Sequence, residues 1–281
     1  MTEDAERVAA AFVSACRAEL DAPKPGNVHV FADGHRMKAD EFVRSAAAAA
    51  GPLSASGARV GARILGAVEA TFAAVGANTN LGIILLCAPL AAAAETKSPD
   101  LRDALGHILQ DLDIEDAALA FGAIVRAAPG GLGRAPRHDV FEPAKVSLLQ
   151  AMSEAADRDR VARQYASNFA DVFELGLPTL TAALGRYADP KWATLTAYLG
   201  FLSEFPDSHI LRKHDAKTAD QVRRKAAAFL ATLREAHDPA GLLPDLLAWD
   251  AALKADHVNP GTSADLTVAT LFTHRLQTIL P

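Results

Sequence analysis

Cysteine is nearly absent: Cys16 and Cys87 are the two in 281 residues, and no CxxC spacing occurs. That excludes a disulfide framework and a thiolate zinc site; both residues read as small hydrophobes on apolar helical stretches. Positive charge is not in surplus either. With a formal net charge of −6, nucleic acid is not an expected partner. The opening Met1-Thr2-Glu3-Asp4 lacks the basic and apolar regions of a signal peptide, which points to the cytoplasm. The main apolar run, within residues 81 to 94, falls short of the ~20 residues that a membrane span needs. Also missing are HExxH, a nucleophile elbow, a kinase signature, a P-loop and the dinucleotide fingerprint. Among the rest there is no internal repeat, no low-complexity linker and no run of alternating strands.

What is present is alanine. Half of the chain is hydrophobic yet only 6% is aromatic, and alanine runs through 46–50 and 91–94. Alanine is the best helix former, and small side chains let helices approach closely. The expectation is an all-α protein: a single compact domain over residues 1 to 281, of about ten to twelve helices. Helical periodicity covers 4–20, 39–50, 57–74, 100–110, 114–127, 143–158, 160–175, 178–186, 190–204, 216–236 and 241–256, with a last helix closing the chain. Gly51-Pro52 reads as a break, and Pro129-Gly130-Gly131-Leu132-Gly133 opens a long irregular loop ending near Asp139. Within residues 75 to 94, Ile83 to Cys87 are apolar on every helical face, so the fold is expected to be arranged around this stretch as a buried central helix.

Four polar stretches interrupt this background. Glu19 precedes Pro23-Lys24-Pro25-Gly26-Asn27-Val28-His29, either a helix-ending turn or a rigid loop offering a lysine to phosphate. Asn78-Thr79-Asn80 with Gly82 opens the apolar helix, as an N-cap or as an anion site at a helix N-terminus. Asp207-Ser208-His209 leads to Arg212-Lys213-His214-Asp215, a charged helix start without standard zinc spacing. Asn259-Pro260-Gly261-Thr262-Ser263-Ala264-Asp265 holds a candidate capping box, Thr262 with Asp265; the alternative gives Asp265 a metal or a proton. His138-Asp139, beyond the glycine-rich loop, could contribute to a site.

In their order and spacing these stretches resemble the triphosphoribosyl-dephospho-CoA synthase family over nearly the whole chain. That family's pattern has a glutamate before PKPG, a GAH-like segment, a helix glutamate, NTHKG, DTN with a following RGG, and SPGGSADLL. The matching residues here are Glu19, PKPG at 23–26, Gly34-His35, Glu69, Asn78-Thr79-Asn80-Leu81-Gly82, Asp207-Ser208-His209 with Lys213, and residues 260 to 266. Asn80 and Leu81 stand where the family has histidine and lysine, and Lys213-His214-Asp215 where it has RGG. These changes resemble a divergent branch of methanogens and methylotrophs that serves methanopterin- and furan-type one-carbon cofactors.

The resemblance implies an enzyme that moves a triphosphoribosyl group from ATP to a hydroxyl of dephospho-CoA and releases adenine. It supplies the prosthetic-group precursor of citrate lyase and malonate decarboxylase. Breaking the ribose–adenine bond develops charge on sugar and base, the division of labour seen in glycoside hydrolysis. ATP is β-linked and the family product α-linked, so a single inverting displacement is the economical route. Catalytic candidates are Glu19, Glu69, Asp207 and Asp265, with Glu69 or Glu19 as the base. Lys24 and Lys213 are expected to clamp the triphosphate with Mg²⁺, held on Asp207 and Asp265. Asn27, His29, His35, Asn78, Asn80, His209, Arg212, Asn259 and Ser263 complete the binding set. A Leu/Ala-rich helix face would suit a homodimer. The alternatives are a re-targeted transferase for a one-carbon cofactor, a nucleotide hydrolase or phosphoryl transferase, and a non-catalytic nucleotide-binding protein.

Overall fold

Local capping starts most of the helices. In the computed structural model, which describes residues 2–32 and 38–279, the Thr2 hydroxyl accepts the Ala5 N–H at the head of α1 (Glu3–Leu20). Asp113 and Asp116 close a reciprocal capping box on α6 (Ile114–Ala127), and Ser147 with Gln150 does so on α7 (Leu148–Ala155). Between them run α2 (Ala39–Leu53), α3 (Val60–Val75), α4 (Leu81–Glu95) and α5 (Leu101–Gln110). Then come α8 (Arg160–Ala166), α9 (Leu177–Arg186), α10 (Pro190–Glu204), α11 (Ser208–Lys213), α12 (Ala216–Glu235), α13 (Leu243–Ala255) and α14 (Gly261–Ile279).

The all-α expectation holds, with fourteen helices among the described residues instead of ten to twelve. The sole strand-like feature among them is an isolated bridge between His29 and Ala32. The extra elements have local causes. Asn168 and Phe169 take φ of 48° and 54°, which ends α8 and leaves a separate π-helical turn, Asp171–Gly176, before α9. The short α11 forms because Asp207 caps it. Pro52 does not break α2; it lies in the final turn, where its missing N–H costs one i→i−4 bond and a single residue follows it in the helix.

Within α4, Leu81 and every residue from Ile83 to Ala94 are buried. This helix packs against α3, α5 and α14. Apolar side chains surround it, so its hydrophobic surface needs no preferred direction. α1 lies against α14, α2 against α3, and α10 against α12. No helix among the described residues is long and apolar enough to cross a membrane. The polar N-terminal end of α4 and the N-terminus of α14 are left facing one cavity.

Candidate functional site

A cavity of about 930 Å³ opens between the end of α1, the head of α4, the loop after α6, α7–α8, α11 and the head of α14. Nine of the expected catalytic and binding residues line it: Glu19, Asn27, Asn78, Asn80, His209, Arg212, Lys213, Asn259 and Asp265. The folding of each stretch explains why.

At α4 the three polar residues divide the work. Asn78 Oδ1 accepts the Leu81 N–H at 3.2 Å, and the Thr79 hydroxyl bonds Ser45 at 2.6 Å. These two are structural. Asn80 is 6% exposed, lines the cavity, makes no capping bond, and its Nδ2 has no hydrogen-bond partner among the described residues. A buried amide of that kind costs stability unless something else meets it.

At α14 the expected capping box does not form. The helix already begins at Gly261, which puts Thr262 inside it. The Ser263 N–H and hydroxyl both donate to Asp207 Oδ2, each at 2.8 Å. Asp207 Oδ1 accepts the His209 and Ile210 N–H groups at 2.9 and 3.2 Å. One fully buried carboxylate thus caps α11 and α14 together. With its lone-pair sites filled, Asp207 is a structural clamp outside the cavity lining, as is Ser263, and not the metal ligand or catalytic group expected.

Because Asp207 does the capping, Asp265 is released. Its carboxylate faces the cavity against the Cα of Gly82, where a Cβ would lie 2.0 Å from Oδ2. Only glycine leaves it room. Burial, then the charges of Asp207 and Glu19, push the Asp265 carboxyl well above the usual range. Burial also raises Glu19, against the opposing pull of Lys24.

Lys24 is not at the cavity. It is fully buried, with Nζ bonded to the Glu19 and Val28 carbonyls at 2.8 and 2.7 Å and paired with Glu19 Oε1 at 2.9 Å. His29 is likewise buried away from it, 3.3 Å from Asp250. Asp250 also binds Lys254 and the Gly26 N–H, at 2.8 Å each. Gly26 (φ 82°) lies against Pro260, and Asn27 donates to Asn259 at 2.9 Å. These contacts join the first and fourth stretches. Glu69 is solvent-exposed on α3 and does not line the cavity, so the burial expected to tune it as a base is missing. His35 lies outside the described residues.

The far wall was not legible in the sequence. Phe121, Ile124, Met152 and Val161 line it as ordinary core positions of α6, α7 and α8. The loop after α6 closes over α11: Arg212 Nε donates to the Gly130 carbonyl at 3.1 Å, and Nη1 reaches Asp159 at 3.3 Å. Lys213 has no ion-pair partner among the described residues; burial, then Arg212, lowers its pKa. His138 lines the cavity, while Asp139 accepts the Ala135 and Phe141 N–H groups and staples the loop.

Among the described residues no group of three or more His, Cys, Asp or Glu could hold a metal ion by itself. Of the two expected Mg²⁺ ligands, Asp207 does not fit and Asp265 does. Magnesium commonly sits on one or two carboxylates plus substrate phosphates.

The sequence model of the family described as CitG, ATP:dephospho-CoA triphosphoribosyl transferase, matches residues 5–280. In fold the chain is similar to a crystal structure from Archaeoglobus fulgidus described as a triphosphoribosyl-dephospho-CoA synthase. The TM-score is 0.64 at 24% identity, over 84% of this chain and 99% of that one. No curated protein sequence matches the chain at a significant level.

Proposed function

The chain belongs to the ATP:dephospho-CoA triphosphoribosyl transferase family, an enzyme of CoA-derived prosthetic-group biosynthesis, and on that premise we propose how its cavity divides the reaction. The observation that carries this reading is one cavity lined by Glu19 and Asp265, two buried carboxylates, together with Arg212 and Lys213.

The polar end, formed by Arg212, Lys213 and the head of α4, receives the triphosphate. A helix N-terminus and two cations suit a polyanion that must be gripped and not cleaved. Asn80 turns its unpartnered amide to a phosphate or ribose oxygen, and Asn78, His209, Asn27 and Asn259 complete the polar wall. Asp265 stabilises positive charge at the ribose anomeric carbon. If magnesium accompanies the triphosphate, Asp265 is also the carboxylate placed to hold it, and the ion would offset phosphate charge. Glu19 takes the proton of the incoming hydroxyl, its raised pKa suiting a general base. The acceptor oxygen bonds to the anomeric carbon as the carbon–nitrogen bond breaks, and that electron pair leaves with adenine, which gains a proton. The apolar wall of Phe121, Ile124 and Met152 suits a flat base or an acceptor chain.

A second reading keeps this chemistry but changes the acceptor to a one-carbon cofactor precursor. Asn80 and Leu81 favour it, since they alter the cavity's polar mouth relative to the family pattern. Incubating the protein with ATP and Mg²⁺, with and without dephospho-CoA, separates the two. Free adenine and an acceptor heavier by one triphosphoribosyl group are expected with dephospho-CoA. Adenine appearing only with a different hydroxyl acceptor supports the second reading; no adenine with any acceptor refutes both.

A further inference from the structure

A lysine in a PKPG turn near a triphosphate site invites the reading of a phosphate ligand, and the geometry points elsewhere. A lysine ammonium carries three donors. On Lys24 they meet three acceptors: the Glu19 carbonyl at 2.8 Å, the Val28 carbonyl at 2.7 Å and Glu19 Oε1 at 2.9 Å. Its exposure is 0%. No hydrogen is left for a phosphate oxygen.

Nor can the side chain easily turn outward. Pro23 and Pro25 fix the backbone on either side. The Tyr198 hydroxyl donates to the Pro25 carbonyl at 2.7 Å, and the Gly26 N–H donates to Asp250 at 2.8 Å. The loop is bolted to α10 and α13, and three bonds would have to break together. Two of those bonds end on one residue. Lys24 holds both the backbone and the side chain of Glu19, the last buried residue but one of α1. Glu19 lines the cavity while Oε1 is held from behind.

From this we infer that Lys24 is a positioning residue: it fixes the Glu19 carboxylate at the cavity wall and does not touch the triphosphate. The inference rests on the proposed role of Glu19 as base.

A double-mutant cycle with two readouts tests it. Adenine-release kcat and the dissociation constant for ATP are measured for E19Q, K24M and E19Q/K24M. E19Q should lower kcat by about 10²–10⁴-fold, the span of general-base catalysis. K24M should lower kcat with ATP affinity within about twofold of wild type, and the double variant should be no slower than E19Q alone, since both changes remove one device. K24M strands a buried carboxylate and could fail to fold. E19Q/K24M removes both charges and keeps the question open to measurement: its ATP affinity should equal that of E19Q. A tenfold weaker affinity in the double variant, or kcat losses that multiply, overturns the positioning role. E19Q at full kcat instead removes the base assignment, and the affinity comparison still decides whether Lys24 touches phosphate.

Discussion

Replacing Asp207 by asparagine separates a structural clamp from a metal ligand. Four donors converge on this carboxylate, two backbone N–H groups on Oδ1 and the Ser263 N–H and hydroxyl on Oδ2. An amide keeps one acceptor oxygen. With that oxygen over α11, its NH₂ faces the Ser263 N–H, and the two donors cannot bond. The serine hydroxyl can rotate to accept; the backbone cannot. Stranding one buried N–H costs about 1–3 kcal/mol, and turning charge-assisted bonds into neutral ones costs roughly 1 kcal/mol each. Relief from burying a charge offsets part of this. The expected net loss is about 2–4 kcal/mol, roughly 3–7 °C in Tm for a domain of this size. S263A, which removes one hydroxyl, should cost only about 1 kcal/mol. Calorimetry and urea unfolding measure both. D207N melting within about 2 °C of wild type while losing Mg²⁺-dependent activity would refute the clamp and return Asp207 to the metal.

Three further outcomes follow from the geometry. G82A places a Cβ where Asp265 now lies; it should keep its helix content and lose roughly 10²-fold in adenine release, as a misplaced catalytic group does. Activity within threefold of wild type would dissociate Asp265 from the chemistry. E69Q, on an exposed face of α3, should keep adenine release within about twofold, since surface changes rarely exceed ~0.5 kcal/mol; a dead variant would place Glu69 back at the site. His29 is held below its usual pKa by burial, with Lys254 and Lys24 adding to the effect and Asp250 opposing it. Protonation therefore favours the unfolded chain. The contribution is complete above the ordinary histidine value near 6.5 and is lost as pH falls through the native one. Urea stability should drop more steeply below pH 6.5 in wild type than in H29Q, by up to ~1.4 kcal/mol per pH unit; equal slopes would contradict it.

Helix content was legible because it rests on local signals. The periodicity of 114 to 127 and of 190 to 204 reappears residue for residue in α6 and α10. Those signals carry the hydrophobic faces and the caps, which neighbouring residues decide. The site was legible as a set of stretches but not as a set of roles. Thr262 and Asp265 have the spacing of a capping box, yet a carboxylate 56 residues away supplies the cap. Lys24 looks like a free cation until its three acceptors are seen, one of them a carbonyl four residues on. Glu69 has a helix and a plausible position in the pattern, but which face α3 buries depends on α2 and α6. Long-range partners reassign polar residues, and no local pattern encodes them.

The Asn27–Asn259 bond joins residues 232 positions apart, and Arg7 reaches the Ile279 carbonyl across 272. The cavity is therefore stitched from the two ends of the described chain. Contacts of such separation form late, after the entropy of closing nearly the entire loop has been spent. Emerging from a ribosome, the polypeptide would present Glu19 well before Asp265, with no competent half-site between. A permuted chain that fuses α1 to α14 and opens the loop after α6 would bring those ends together from the start. Such a rearrangement should fold faster while building the same chamber.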